Sequence, residues 1–460
     1  MSTISSKGIG SGLDIDALVS QLVAAERSAG QTRIDGKKTK LTEQFSAMAT
    51  LMGAMSGFQA SLNSLVSSNS FKSRNVSLSD DAAFTAKATA AAAAGSYDVQ
   101  VQRLAKAAQL GSEAFASASA TVGTGTLTIS VGESSFNIEV GEGNNSLSNI
   151  RDAINRAPGN TGVQASLLTD VDGTHLVLTS TRTGAERALT VTTNGGDGGL
   201  SSLVYDPDGS GTTNMELRSP AQDAILFVSG YEIHSGSNTV SNAIEGVTLT
   251  LKAPTAEGST VSLAVDRDDA AIQDAAKKFV DAYNSLAGTI KSLTRYDAVT
   301  EVGGALLGDA MLRNIETQVR NMISSPVSGV SGNYTTLASL GITTQADGRL
   351  KLDGFRFQAA LDANPGAVSD IFTSENGLAV RLADFMATKT SSTGELTVRS
   401  SNITDSLVEL KDQQDVLNAR MKVIEQRYFK QFNALDTLLA QLNTTANSLD
   451  SWLARDKQDR

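Results

Sequence analysis

Apolar residues recur in steps of three and four along both ends of this chain, and in steps of two along its middle. Near the start, Ile15, Leu18, Val19 and Leu22 share one helical face, and Asp14 supplies an N-cap. The spacing predicts a helix over 15–26. Gly30 and Gly36 are expected to interrupt it, beside a basic cluster at Lys37, Lys38 and Lys40. A second helix is expected to carry Leu41, Phe45, Met48, Met52, Met55, Leu62 and Leu65, mostly at heptad spacing. Ser67-Ser-Asn-Ser70 is expected to end it.

The C-terminal seam is longer. It runs through Ile403, Leu407, Leu410, Gln414, Leu417, Met421, Ile424, Tyr428, Phe432, Leu435, Leu439, Leu442, Ala446, Leu449 and Leu453. Steps of four and three alternate except at Tyr428 to Phe432, where two fours fall together. That is a stutter, which locally unwinds a left-handed supercoil. A continuous helix from Ser401 to Leu453 would reach roughly 80 Å at 1.5 Å per residue. A stripe of that length needs partner helices. The N-terminal helix is the nearest one, and copies of the same chain come next. An ordinary bundle within one chain and a seam shared between chains both fit the pattern.

The middle alternates apolar and polar residues, as half-buried strands do. Tyr97-Asp-Val-Gln-Val101, Thr126-Leu-Thr-Ile-Ser-Val131, Phe136-Asn-Ile-Glu-Val140, Val163-Gln-Ala-Ser-Leu167, His175-Leu-Val-Leu-Thr179, Val247-Thr-Leu-Thr-Leu251 and Val261-Ser-Leu-Ala-Val265 show it. Asp172-Gly173 and Gly195-Gly196 offer turn chemistry. One short helix is expected over 148–157. The expected fold class is α+β and multidomain: a coiled-coil or helical stalk from both chain ends, with a mainly antiparallel β region inserted from about 76 to 268. Helix resumes at Ile272, then over 306–323 and 370–388, with a hairpin around Asp347-Gly348. All six prolines lie between Pro158 and Pro365, which leaves both ends free to be long helices.

Composition narrows the class. The 460 residues hold no cysteine, so disulfides, thiolate metal sites and cysteine nucleophiles are excluded. The formal net charge is −11, which disfavours a nucleic-acid partner. No apolar run is long enough for a membrane span. The opening residues lack a basic stretch followed by an apolar one, so no secretory signal peptide is expected.

Little in the chain suggests chemistry. His175 and His234 are the two histidines, and both read as strand residues. Gly8-Ile-Gly-Ser-Gly12 lacks the preceding strand that a phosphate loop requires, and reads as a lead-in to the first helix. Asp206-Pro-Asp-Gly-Ser-Gly211 matches the start of a calcium loop, but Leu217 stands where a bidentate Glu belongs. A solvated turn is the better reading. Asp80-Asp81 and Asp268-Asp269 fall at expected domain borders. No catalytic residue, cofactor or metal site is expected.

A series of short motifs, in order, is similar to one family. Gly8-Ile-Gly-Ser-Gly-Leu-Asp-Ile-Asp-Ala-Leu-Val19 before a heptad helix resembles the start of the bacterial flagellar filament-capping family, the flagellar hook-associated protein 2 family. Ala94-Gly-Ser-Tyr-Asp-Val-Gln-Val-Gln-Arg-Leu-Ala105 resembles its entry into β structure. Leu147-Ser-Asn-Ile-Arg-Asp-Ala-Ile-Asn155 and Leu176-Val-Leu-Thr-Ser-Thr-Arg-Thr-Gly184 resemble a β module shared with other hook-associated proteins and some flagellins. Ala221-Gln-Asp-Ala224, Phe279-Val-Asp-Ala-Tyr-Asn284, Leu306-Leu-Gly-Asp309 and Leu340-Gly-Ile342 continue the likeness, which spans nearly the whole chain.

The resemblance implies a structural cap at the distal tip of the flagellar filament. It implies a homo-oligomeric ring that promotes flagellin insertion and prevents subunit loss. Flagellin, the hook–filament junction protein and an export chaperone at the C-terminal helix are the expected partners. Export by the flagellar type III route would place the protein at the filament tip without a cleaved signal peptide. The expected layout is legs at 1–40 and 430–460, a stalk at 41–75 and 269–429, one β domain at 76–117 and 222–268, and a second at 118–221. The stalk seam is assigned to Leu41, Phe45, Met48, Met52, Met55, Leu62 and Leu65 with Ile403, Leu407, Leu410, Leu417, Met421 and Ile424. Docking to the filament is assigned to Ile15, Leu18, Leu22, Phe432, Leu435, Leu439, Leu442, Leu449 and Leu453. A surface adhesin that binds host glycans or mucin through the β domains is the alternative.

Overall fold

The computed structural model describes residue 12, residues 14–160 and residues 162–458, with side chains up to residue 451. Its helices are α1 (Ile15–Ser67), α2 (Leu147–Arg156), α3 (Asp269–Thr294), α4 (Ala310–Ser324), α5 (Gly354–Ala363), α6 (Pro365–Thr373), α7 (Leu378–Thr390) and α8 (Glu395–Gln458). Every paired strand runs antiparallel to its neighbours among the described residues. The fold is α+β, with long helices from both ends and antiparallel sheets between them. The chain divides into two compact units, Lys72–Ile272 and the residues on either side of it.

The helical unit departs from expectation at its first element. α1 is one unbroken helix of 53 residues, started by Asp14, whose carboxylate accepts the Ala17 N–H at 3.0 Å. Gly30 and Gly36 do not divide it. Each glycine costs a helix only about 1 kcal/mol relative to alanine. Burial of a single Val or Met side chain is worth more, about 1.5–3 kcal/mol. Gly30 also has a packing role: a Cβ there would meet Leu417 Cδ1 at 3.2 Å.

Two other helices are shorter than their periodicity suggests. α4 starts at Ala310, because Asp309 caps it by accepting the Leu312 N–H at 3.1 Å. The expected helix over 370–388 is split into α6 and α7. A Cβ on Gly377 would lie 2.6 Å from the Phe372 carbonyl oxygen, so the chain turns there on a residue without one.

The β unit holds two separate cores. In the first lobe a five-stranded sheet runs in the order Arg74–Leu78, Val261–Arg267, Gly95–Arg103, Ala224–Val228, Tyr231–Ser235. A three-stranded sheet (Thr239–Ile244, Val247–Leu251, Phe84–Ala88) faces it, and Phe84, Val99, Leu226, Leu249 and Leu263 fill the space between. In the second lobe a five-stranded sheet built on Gly125–Val131 and a four-stranded sheet built on Thr174–Ser180 enclose Leu127, Ile129, Leu176, Leu178 and α2 residues Ile150 and Ile154. The chain enters this second lobe earlier than the expected border at 117. Gln109–Gly111 pairs with Thr174–Ser180, which sends Leu110 into the second core. The outer edge of strand Val163–Thr169 is closed by Asn155, whose amide donates to Ala165 O and accepts its N–H, both at 2.8 Å. That side chain blunts an edge that would otherwise be open to another strand.

Candidate functional site

The first and last helices run antiparallel against each other, and a small polar network fixes their register. Gln31 and Gln414 exchange amide hydrogen bonds at 2.8 and 2.9 Å. Arg27 Nη2 donates to Asn418 Oδ1 at 2.8 Å. By the same register Ile15 lies level with about Lys430, and the start of α8 lies level with about Thr50.

This register redistributes the expected seam residues. Ile403, Leu410, Met421 and Ile424 are buried, and Leu407 and Leu417 half-buried. They face the first half of α1, where Ile15, Val19 and Ile34 are buried. Ile403 alone lies level with the start of the expected Leu41–Leu65 stretch, where Leu41 is half-buried; the other five lie level with residues before it. Beyond the start of α8, α1 packs on α7, and Phe58 meets Phe279 of α3; Leu51, Met55, Phe58, Leu62 and Leu65 are buried along this stretch, with Met48 buried just before them. Phe45 is 39% exposed and Met52 half-buried, so neither lies on the deepest line. Leu51 and Phe58, absent from the expected seam, do. Starting the heptad count at Leu41 drew Phe45 onto the stripe. The buried line passes instead through Ala47 and Met48.

The docking assignment divides the same way. Ile15 is buried and Leu18 half-buried, while Leu22 is 38% exposed at the edge of the pairing. The start of α1, from Ile15, is therefore paired within the chain, not free. Past Lys430, α8 runs on to Gln458 with no α1 residue level with it among those described. Leu435, Leu438, Leu442 and Leu449 are 45%, 52%, 56% and 59% exposed, spaced by three, four and seven. Phe432 and Leu439 are half-buried, and the Leu453 side chain lies outside the described residues. Leu438 was not among the expected docking residues. It lies off the counted heptad line, and only its exposure reveals it.

The motif Phe279-Val-Asp-Ala-Tyr-Asn284 is structural. Phe279 is fully buried, its ring 6.5 Å from Phe58 and 5.3 Å edge-on to Phe372. Phe372 stacks on Phe71 at 4.1 Å. The Tyr283 hydroxyl donates to Gly348 O at 3.1 Å, and burial pushes its phenol pKa up. Asn284 holds Leu350 by both its N–H (2.8 Å) and its C=O (2.9 Å), which fixes the hairpin Ile342–Leu352 on α3.

Four of the carboxylates singled out in the sequence are occupied locally. Asp206 closes its own turn by accepting the Ser210 N–H at 2.7 Å. Asp80 and Asp268 accept N–H groups two and three residues on, and Asp269 is paired with Arg267. Gly12 apart, the opening glycine motif lies outside the described residues. No group of three His, Asp or Glu side chains positioned to hold a metal occurs among the described residues. No described helix is long and apolar enough to cross a membrane.

His175 lies between Ser112 and Asp170 in the second lobe. Its Nδ1 donates to Ser112 O at 2.8 Å, and its Nε2 lies 3.2 Å from Asp170 Oδ2, too poorly aligned for a full hydrogen bond. The Ser112 carbonyl first, then Asp170, raise its pKa above 6.5, against the opposing effects of burial and of Arg218. The Asp172 N–H, helped by His175 and the Gly173 N–H, lowers that of Asp170 below 3.8. A raised histidine pKa stabilises the fold below its unfolded value and loses that contribution as pH rises through the folded value. A lowered aspartate pKa contributes above its unfolded value and loses it as pH falls. Urea unfolding of this lobe is therefore expected to be most resistant between about pH 4 and 6.5. His175→Gln is expected to flatten the fall above that window. An unchanged alkaline slope would refute the assignment.

Long helices from both chain ends, one with an uncovered apolar stretch, and two antiparallel β lobes inserted between them are the make-up of a structural assembly protein. Residues 221–444 match the family described as "Flagellar hook-associated protein 2 C-terminus", residues 11–108 its N-terminus, and residues 126–182 the "Flagellin hook IN motif". The chain is 35% identical over 466 residues to flagellar hook-associated protein 2 of Escherichia coli K12, covering 98% of each. It is 34% identical to the B-type protein of Pseudomonas aeruginosa PAO1, covering 97% of each. The crystal structure of the D1-D2-D3 domains of the Escherichia coli flagellar cap protein FliD covers 78% of this chain and 99% of its own, with a TM-score of 0.71 at 34% identity. The chain belongs to the flagellar hook-associated protein 2 family.

Proposed function

We propose that this chain caps the distal tip of the bacterial flagellar filament. Copies form a ring, hold the tip closed and guide incoming flagellin into the lattice. The observation that carries this reading is the uncovered apolar line on α8 past Lys430. An apolar stripe with no partner in its own chain needs a helix from another. Helices of filament subunits, or of the hook–filament junction protein, are the partners in this reading. An export chaperone covers the same end of α8 before the protein leaves the cell through the flagellar type III channel. The reading requires no catalytic step and no cofactor.

The test is complementation of a strain that lacks its cap. The full chain is expected to restore filaments and swimming and to stop flagellin loss to the medium. If the chain is found in the medium while flagellin still leaks, the capping role falls.

A further inference from the structure

We propose that the loop 181–187 is a strut that sets the angle between the two β lobes, with Asp223, Thr183 and Gly184 as its positioning residues. The lobes are joined covalently by two crossings only, at 104–108 and 219–224. These are paired to each other: Lys106 N–H donates to Gln222 O at 2.9 Å, Gln222 N–H returns to Lys106 O at 3.2 Å, and Gln222 Nε2 reaches Leu104 O at 2.8 Å. A two-stranded ribbon bends and twists easily. The two apolar cores remain separate on either side of it. Beside it lies an open cleft of about 640 Å³ lined by polar side chains, among them Arg182, Arg187, Ser235 and Ser237. No apolar side chain lines that cleft among the described residues.

The loop supplies the missing third point. It leaves the second lobe after strand Thr174–Ser180, and Ser180 steadies it by donating to Arg182 O at 2.7 Å. Thr183 Oγ1 then donates to Gly236 O of the first lobe at 2.7 Å. Ala185 N–H donates to Asp223 Oδ1 at 2.6 Å. Gly184 N–H donates to Lys106 O at 3.2 Å. Gly184 sits at φ +115°, and a Cβ on it would meet Gly236 Cα at 2.9 Å, so only glycine lets the loop reach the first lobe. Two of these contacts grip the ribbon itself and one, Thr183 to Gly236, lies off its axis; together with the close approach of Gly184 to Gly236 they turn a hinge into a fixed bracket.

A fixed angle matters for a protein that closes into a ring. A head-to-tail interface closes only when the rotation between neighbours divides a full turn, and the lobe angle enters that rotation. The strut thus limits the number of copies that can close a ring. This last step rests on the capping reading; the angle itself does not.

The full chain has no cysteine, so labels at Lys87→Cys and Ser135→Cys, one on each lobe, report their separation without background. Pulsed electron–electron resonance is expected to give one narrow distance in the parent and in Asp223→Asn, which keeps the accepting oxygen. Thr183→Val with Asp223→Ala, and separately Gly184→Ala, are expected to broaden that distribution at least roughly twofold. Ring counts by native mass spectrometry are expected to spread from one value to several in the same variants, while Asp223→Asn keeps the parent count. An equally narrow distance in all variants overturns the strut. A broadened distance with an unchanged ring count overturns its role in stoichiometry. Absence of rings in the parent would count against the capping reading and leave the distance result to decide the strut.

Discussion

Deleting residues 431–460 is expected to leave the rest of the protein folded and to abolish capping. The α1–α8 pairing ends near Lys430, because Ile15, the first residue of α1, lies level with it. The described side chains beyond that point are exposed or half-buried, so the truncation removes no fully buried side chain among them. Thermal unfolding of the truncated chain should stay within about 2 °C of the parent, as expected when less than about 1 kcal/mol of stability changes. The functional loss should be complete. Burying four leucines such as Leu435, Leu438, Leu442 and Leu449 against partner helices is worth roughly 1.5–3 kcal/mol each before the cost of ordering. Without them, nothing in the described residues replaces that contact. Leu435→Ser with Leu442→Ser is expected to give an intermediate defect in swimming. Full swimming by the truncated chain would remove the docking role from α8.

Much of this architecture is legible in the residues, and the failures have physical causes. The long helices announce themselves because heptad spacing survives any tertiary context. The strands are legible from alternation, and the cap residue Asp14 precedes a real helix start. What fails is partnership. Periodicity states that a helix has an apolar face, not which helix covers it. Hence the seam Ile403–Ile424 does not cover Leu41–Leu65: Gln31–Gln414 and Arg27–Asn418 set most of it against the first half of α1. The glycines at 30 and 36 do not break α1, because a local propensity of about 1 kcal/mol is small beside burial it does not report. Gly30 is better understood through Leu417, which lies far away in sequence. The uncovered end of α8 was within reach of the sequence. The uncovering itself was not, because it depends on where α1 stops relative to α8.

The second large effect lies at Phe279, whose side chain joins segments distant in the chain. It meets Phe58 of α1 and Phe372 of α6, and Phe372 stacks in turn on Phe71, just beyond the end of α1. Truncating a buried phenylalanine costs about 3–5 kcal/mol, from lost transfer energy and from the cavity left behind. Loss of the edge-to-face pairing falls at the upper end of that range. Phe279→Ala is therefore expected to lower the unfolding temperature of the helical unit by roughly 10 °C. Phe279→Leu separates the two terms. It keeps most of the volume and loses the ring contacts, so its cost should be roughly 1–2 kcal/mol. If alanine and leucine cost the same, ring geometry and not the cavity dominates. If neither moves the transition, the nest does not hold the helical unit together. The consequence for capping follows from what the nest supports. Phe58 lies on the same helix as Ile15 and Val19, so loosening it frees the base of the stalk on which α8 is aligned. Phe279→Ala should thus reduce swimming in proportion to the folded protein that survives at growth temperature. It should not produce the complete loss expected of the tail deletion, and measuring the two side by side distinguishes a support from a contact surface.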